Sequence, residues 1–439
     1  MSEWKRVRIG DICKIVKGTT GIASAEPGKY PLVVTAEERK TCSSYQFDCE
    51  AVCIPLVSSS GHGKKSLKNV HYQSGKFALG TILCAVIPNK PEHLDARFLH
   101  QYLQFYKDTI LVPLMKGAAN VSLSIKDIAT VEIPLLPIEN QRELSDLFIT
   151  LQENQKKLSA ETEQQLEYTK LLRQNILQDA IEGKLTADWR KLHPVNKGNP
   201  DYDAEALFEK IQKGEVSPSL QPAKRSSATP SAGDTPATPP FEISEGWKAV
   251  KLDDLFSHKT GKTLNSSTNK GTILRKYITT SNLYWNYFDF SNIKEMYFSE
   301  EEIEKYSVRK GDLLVCEGGN VGRSAIWNYD YSVCYQNHIH RLRAYYPINT
   351  RFYYYVLYLY KMSGYIESLA KGMGIQGLSA NRLGSFAFPL PPLKEQEEIV
   401  TKVEDLLAKV TELEKQIQER EIYTKQLMHG ILKDVFEEK

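Results

Sequence analysis

No run of 18 apolar residues occurs anywhere in the 439-residue chain, so no segment reads as a membrane-spanning helix. The opening MSEWKRVRIG lacks an apolar signal core, which argues against export and for a cytoplasmic location. Seven cysteines form no CxxC pair, and Cys49 and Cys53 have no second pair to complete a zinc site. They read as reduced, buried thiols.

Catalytic constellations are missing too. TGKT at 260–263 ends like a phosphate loop, but a Walker motif needs glycine where Phe256 stands. GGNVG at 318–322 contains no GxGxxG, and TPPF at 238–241 has threonine where an adenine methyltransferase needs Asn or Asp. His338 and His340 alternate without a third ligand in usable spacing, and Asp201 with Asp203 forms no nuclease centre. No metal site or catalytic residue is expected in this chain.

The charge is informative once divided. The formal net charge is +2, yet residues 1–133 hold 17 Lys and Arg against 12 Asp and Glu, and residues 246–388 hold 18 against 12. The remainder holds 21 against 30. Two basic bodies joined by acidic connectors fit two surfaces meant for a polyanion.

The chain is also one unit written twice. PLLPIENQRE at 134–143 returns as PLPPLKEQEE at 389–398, and residues 134–184 match 389–439 without gaps at 16 of 51 positions. Tyr168-Thr169-Lys170 returns as Tyr423-Thr424-Lys425, and Trp4-Lys5 as Trp247-Lys248. Such self-similarity marks a tandem duplication.

Each copy opens with a body rich in Gly, β-branched and aromatic residues, at 1–133 and 246–388. Its short apolar runs AVCIPLV, TILCAVI and GDLLVC predict the strands of a mixed α/β (α+β) fold. Helices are predicted at LDARFLHQYLQFY (94–106) and INTRFYYYVLYLY (348–360). Each copy then continues into a long helix, at 134–192 and 389–439, entered through Pro137 or Pro392. Ile399, Val403, Leu406, Val410, Leu413 and Ile417 step by four and three as a coiled-coil seam. Leu144, Phe148, Leu151, Leu158, Leu172 and Ile176 follow the same register, interrupted by Gln155, Thr162 and Gln165. Two such stripes in one chain pack most economically on each other, and antiparallel pairing would give a pseudo-two-fold arrangement with one body at each end of a rod. Residues 193–245 hold 8 of the 20 prolines and read as a flexible tether. It is interrupted by a short helix, DAEALFEKIQKG, capped by Asp203 and stopped by Gly214.

Taken together, Gly-Trp-Lys (246–248) leading to Gly261-Lys262-Thr263, GDLLVCEGGNVGR (311–323), LSANRLGSFAFPLPPLKEQ (378–396), its partner LSIKDIATVEIPLLPIENQ (123–141) and EGKLTADWR (182–190) resemble the specificity (S, or HsdS) subunit of type I restriction-modification systems over essentially the whole chain. The resemblance implies two target recognition domains separated by two long antiparallel coiled-coil helices, each domain reading one half of a split duplex DNA target. It implies no catalysis by this chain alone. Two modification subunits, carrying S-adenosylmethionine and methylating adenine, would dock on the helices. Restriction subunits using ATP and Mg would join through them.

Glycine-rich polar loops can approach phosphates while their side chains reach base edges. In the first body VSSSGHGKK (57–65) offers Ser59, Ser60, His62, Lys64 and Lys65, and KGAAN (116–120) offers Lys116 and Asn120. In the second, GGNVGR (318–323) offers Asn320 and Arg323, and KGMGIQG (371–377) offers Lys371 and Gln376. The turns at Gly18 and Gly261, with Thr20, Lys262 and Thr263, complete the candidates. The aromatic run YWNYFDF (284–290) is expected to serve the core rather than stack on bases. Two alternatives stand beside this reading. One is a coiled-coil scaffold whose end bodies bind proteins; the other is an enzyme with an unrecognised metal site.

Overall fold

The computed structural model describes residues 4–60, 63–214, 239–263, 272–370 and 377–436. Contacts divide the chain into two units, Met1–Glu163 with Gln418–Lys439, and Gln164–Ile417.

The body of the first unit runs β1 (Arg6–Arg8), α1 (Ile9–Ile12), β2 (Cys13–Lys17), β3 (Tyr30–Val33), β4 (Lys40–Cys42), β5 (Phe47–Asp48), β6 (Ala51–Pro55), β7 (His71–Gln73), β8 (Lys76–Leu79), β9 (Leu83–Pro88), α2 (Ala96–Ile110), α3 (Ile125–Ala129) and β10 (Glu132–Pro134). An antiparallel sheet in the order β2-β9-β6-β7 packs its Val52, Ile54, Cys84 and Val86 against Phe98, Leu99 and Tyr102 of α2. A second sheet, β4-β3-β8-β5, contains the parallel pair β3 and β8, and β1 pairs with β10. Strand β6 is buried along its whole length, as a central strand covered on both faces must be.

Next in chain order come α4 (Ile138–Ile181), α5 (Ala187–Leu192) and α6 (Ala204–Lys213). The second body then repeats the frame of the first, with a two-stranded hairpin added: β11 (Lys248–Lys251), α7 (Leu252–Leu255), β12 (Phe256–Thr260), β13 (Ile273–Ile278), β14 (Leu283–Tyr284), β15 (Tyr287–Phe288), β16 (Lys294–Phe298), α8 (Glu300–Tyr306), β17 (Leu313–Cys316), β18 (Ser324–Ile326), β19 (Cys334–Tyr335), β20 (Ile339–Ala344), α9 (Thr350–Met362), α10 (Tyr365–Ala370), α11 (Ala380–Gly384) and β21 (Ala387–Leu390), followed by α12 (Leu393–Phe436). Its antiparallel sheet β12-β20-β17-β18 has the order of β2-β9-β6-β7. Strands β13 and β19 are again parallel, and β11 pairs with β21 as β1 does with β10. The fold is a tandem duplication of a mixed α/β body, each copy followed by a helix of 44 residues.

The repeated Pro-Leu-x-Pro-x-x-x-Gln has a physical reason. Both helices start directly after the second proline, and Gln141 and Gln396 are fully buried. Gln141 accepts from the Asp95 N–H at 2.9 Å and donates to the carbonyls of His93 and Leu136. Gln396 accepts from the Asn349 N–H at 2.9 Å and donates to the Pro391 carbonyl. Asp95 and Asn349 in turn cap α2 and α9. One amide thus bolts each long helix to its own body. Gln396→Ala would leave a buried N–H and a buried carbonyl unpaired, so a loss of about 2–4 kcal/mol is expected in a denaturant titration of the second unit.

The two helices pair antiparallel within each unit. In the second, Arg173 holds Glu414 through two bonds, Nε to Oε1 at 3.0 Å and Nη2 to Oε2 at 2.7 Å, while Lys402 reaches the Leu185 carbonyl at 3.0 Å. The Arg173 hydrogen bonds keep the Glu414 carboxyl below its usual range. In the first, Phe436 of α12 packs against Phe148 of α4 and against Phe98, Phe105 and Tyr102 of α2.

The buried stripe is not the one the leucines suggest. Its centre runs every seven residues through Gln141, Phe148, the half-buried Gln155, Thr162, Thr169 and Ile176 on α4. On α12 it runs through Gln396, Val403, Val410 and Ile417. Thr162 and Thr169 can be buried because their hydroxyls donate to the carbonyls of Leu158 and Leu166, one turn back. Leu144, Leu151 and Leu406 lie half-buried beside the stripe, and Ile399 is buried. Leu158, Leu172 and Leu413 instead remain 42%, 41% and 43% exposed. Around these three leucines the covered heptad position is that of Thr162, Thr169 and Val410, and the leucines stand on its flank.

Candidate functional site: loop-bearing sheet ends and helix flanks

Antiparallel order brings the Gly18 turn and the loop after β6, and likewise the Gly261 turn and the loop after β17, to one end of the four-stranded sheet of each body. The end of β2, the start of β9, the end of β6 and the start of β7 coincide there, as do their counterparts in β12-β20-β17-β18. In the first body, the loop after β6 meets the loop at 116–120: Ser58 N–H donates to the Val121 carbonyl at 3.0 Å, and Gly63 N–H to the Ala119 carbonyl at 3.3 Å.

The predicted residues separate into those that face outwards and those that build the loops. Lys64 and Lys65 are exposed, as are Lys116 and Asn120; Lys116 rests on Asp127 at 3.0 Å. Ser59 Oγ accepts from the Lys68 N–H at 2.9 Å, and Ser60 Oγ pairs with Ser66 Oγ at 2.7 Å, so both serines brace their own loop. His62, Lys371 and Gln376 lie outside the described residues.

Gly18 and Gly261 are close-approach glycines. A Cβ on Gly18 would stand 2.2 Å from the Gly80 carbonyl oxygen, and one on Gly261 2.2 Å from that of Tyr335. Thr20 follows as a backbone bridge to Gly80. Lys262 is turned inward, its ammonium on Glu302 at 2.7 Å and the Tyr297 carbonyl at 2.9 Å. That placement removes it from the surface on which the sequence puts it. Thr263 and Asn320 are exposed. Arg323 is half-buried, with Nη2 on the Thr280 carbonyl and its guanidinium 4.8 Å from the Tyr284 ring centre.

The aromatic run divides. Phe288 and Phe290 join Trp327 and Tyr329 in the core, whereas Tyr284 and Tyr287 stack on each other near the surface. Among the described residues no three of His, Cys, Asp and Glu converge on a metal position, and no helix is long and apolar enough to cross a membrane. His338 faces Glu317 at 3.5 Å, while His340 is fully buried, 2.9 Å from His258 and 2.7 Å from the Leu378 carbonyl.

Sequence reasoning missed a cluster in the second unit. Glu395, 1% exposed, accepts from Thr186 Oγ1 at 2.6 Å, from Trp247 Nε1 at 2.8 Å and from Arg190. The peptides of Pro200 and Asp201 accept the first N–H groups of α12 at 3.1 Å each. Helix α6, capped by Asp203 and closed by Gly214 at φ +65°, buries Leu207 and Ile211 in the second body's core. The chain after α4 is therefore an arm fastened to the second body. Its sequence signals are EGKLTADWR and the capped helix at 203–214, neither of which names the residues on which the arm docks.

Two buried histidines give each unit a pH response. Burial, then Arg39 and His100, lowers His71 to about 4; burial, then His258, lowers His340 to about 4. In the unfolded chain a histidine takes up its proton near 6.5. Between about pH 6.5 and 4 the unfolded chain thus binds more protons, and stability falls as pH falls through that window. Denaturant midpoints of both units should be level above pH 7 and decline below 6.5. A midpoint unchanged from pH 7 to 4.5 would contradict the burial of these rings.

Comparison with known proteins agrees with this architecture. The description "type I restriction modification DNA specificity domain" fits residues 1–168 and 244–420. The chain is 24% identical over 454 residues to the specificity subunit of the type I restriction enzyme EcoDI of Escherichia coli, covering 99% of this chain and 88% of that one. It is 21% identical over 393 residues to the EcoKI specificity subunit of E. coli K12, covering 87% and 74%. The crystal structure of the HsdS subunit from Thermoanaerobacter tengcongensis superposes with a TM-score of 0.57 at 17% identity, over 99% of this chain and 97% of that one. A structure describing complex assembly and conformational transition of the type I R-M system gives 0.55 at 18%, with the same coverages. The chain belongs to the type I restriction-modification DNA specificity family.

Proposed function

We propose that this chain gives a type I restriction-modification complex its DNA sequence specificity, with each body reading one half of a split duplex target and the two long helices setting the distance between the halves. The observation that carries this reading is the duplication itself. Scaffold, helix bolt and loop positions recur in both copies, while the loops at the sheet ends differ in length and residues. Two unlike readers on one repeated frame suit a target of two unlike halves.

The helix flanks support a docking role. Leu158, Tyr423 and Leu427 are exposed in the first unit, and their counterparts 255 positions away, Leu413, Tyr168 and Leu172, are exposed in the second. Each unit carries one copy of the same apolar set, which fits two copies of one partner, the modification subunit. Restriction subunits would join through these. S-adenosylmethionine, ATP and Mg belong on the partners, and the complex acts where chromosomal DNA lies, in the cytoplasm.

Phosphate contacts distinguish this reading from a protein-binding scaffold. The chain, purified with its modification subunits, should bind duplex DNA with an affinity that falls steeply between low and physiological salt. Salt-insensitive binding without preference among DNA sequences would overturn the proposal in favour of the scaffold.

A further inference from the structure

Because the two bodies share a scaffold, a segment present in one and missing from the other isolates what differs between the two readers. In the first body β3 reaches β4 through residues 34–39, and Arg39 of that connection is turned onto Gln73, His71 and the Tyr72 carbonyl. In the second body the hairpin β14–β15 stands between β13 and β16. Its turn is held firmly. Asn286 sits at φ +66°, Arg351 donates to its side chain, and Trp285 packs on Tyr358 with ring centres 4.8 Å apart. Asn286 N–H donates to the Ser324 carbonyl at 3.1 Å, which ties the hairpin to the strand leaving the 318–323 loop. Hairpin and loop thus form one surface.

Within it, Tyr284 and Tyr287 stack with centres 5.0 Å apart and planes 10° from parallel, and Arg323 lies over Tyr284. Tyr287 is 56% exposed. The hairpin is anchored inward by Trp285 and Phe288, so its closure does not require the outer ring. A ring held by stacking loses little freedom on contact, and a phenol offers an apolar face to sugars and thymine methyls and a hydroxyl to phosphate. We propose that Tyr287 is a specificity-determining contact for the second half of the DNA target, and that Arg323, engaged with Tyr284 and Thr280, supports this ring rather than reaching bases itself. The proposal rests on the DNA-reading function above.

The test uses the whole chain co-expressed with its modification subunits. The methylated motif of the wild type is established first, and a short synthetic duplex carrying it is the probe. Tyr287→Ala is expected to lower affinity for the probe about ten- to hundredfold and to relax base preference within the second half-site. The first half-site, the gap, the melting temperature and subunit assembly should stay as in the wild type. Tyr287→Phe should recover much of the affinity through its ring. An unchanged motif and affinity in Tyr287→Ala would overturn the proposal. So would loss of subunit assembly by a folded variant, which would assign this face to a protein partner. A wild-type chain that directs no split motif would remove the DNA-reading function and this inference together.

Discussion

Seven residues inserted into each long helix, after Leu158 in α4 and after Leu413 in α12, should lengthen the gap between the two recognised half-sites and leave both half-sites unchanged. A heptad adds about 10 Å of helix, the rise of about three base pairs of duplex. It also returns the buried stripe to the same face, so Gln155, Thr162, Thr169 and their α12 counterparts keep their side of the helix. Inserting four residues instead would rotate the far part of each helix by roughly 40° and should impair assembly. Shortening residues 217–236 is the matching control. Gly214 and Pro239, which bracket that stretch, both belong to the second unit, so the gap should not respond. A change within either half-site after heptad insertion would show that helix length does not measure the target.

Removing the Glu395 carboxylate should be the most damaging single change to stability. Glu395→Ala strands the Trp247 indole N–H and removes the carboxylate from the Thr186 hydroxyl and the Arg190 guanidinium, which keep only each other and the Gly183 carbonyl, and breaking a buried pair of this kind costs about 3–5 kcal/mol. Arg190→Ala should cost a comparable amount, because it leaves a carboxylate that is 1% exposed with two neutral donors only. The damage should concentrate in the second unit, and backbone amides of α5 and α6 should lose exchange protection first, since Glu395 fastens the arm that carries them. Denaturant titration with hydrogen exchange measures both. Equal loss of protection in the β2-β9-β6-β7 sheet would contradict this assignment.

What could be read before the structure was known was what neighbouring residues decide. The duplication shows in identities at a fixed offset, and both long helices begin where Pro137 and Pro392 place a helix start. Asp203 and Gly214 bound α6 because capping is local. What escaped depends on partners far along the chain. A leucine period locates a stripe without stating which heptad position is covered, so the pattern puts Leu158, Leu172 and Leu413 in a seam that in fact runs through Thr162 and Thr169. The sequence near Lys262 looks like an exposed glycine turn, and nothing local announces Glu302, 40 residues on, or Tyr297 as its partners. Glu395 stands in a polar helix start, and its role depends on residues more than 140 positions away. In YWNYFDF composition gives aromatic content, while the hairpin turn at Asn286 decides that Tyr287 faces outwards and Phe288 inwards.

The central claim, that this chain chooses the DNA sequence on which its complex acts, is tested most directly by sequencing adenine methylation genome-wide in cells with and without its gene, the modification subunits being expressed in both. A split motif of two fixed halves, methylated when the gene is present and unmethylated when it is absent, is the predicted result. An identical methylation pattern in the two strains would contradict it.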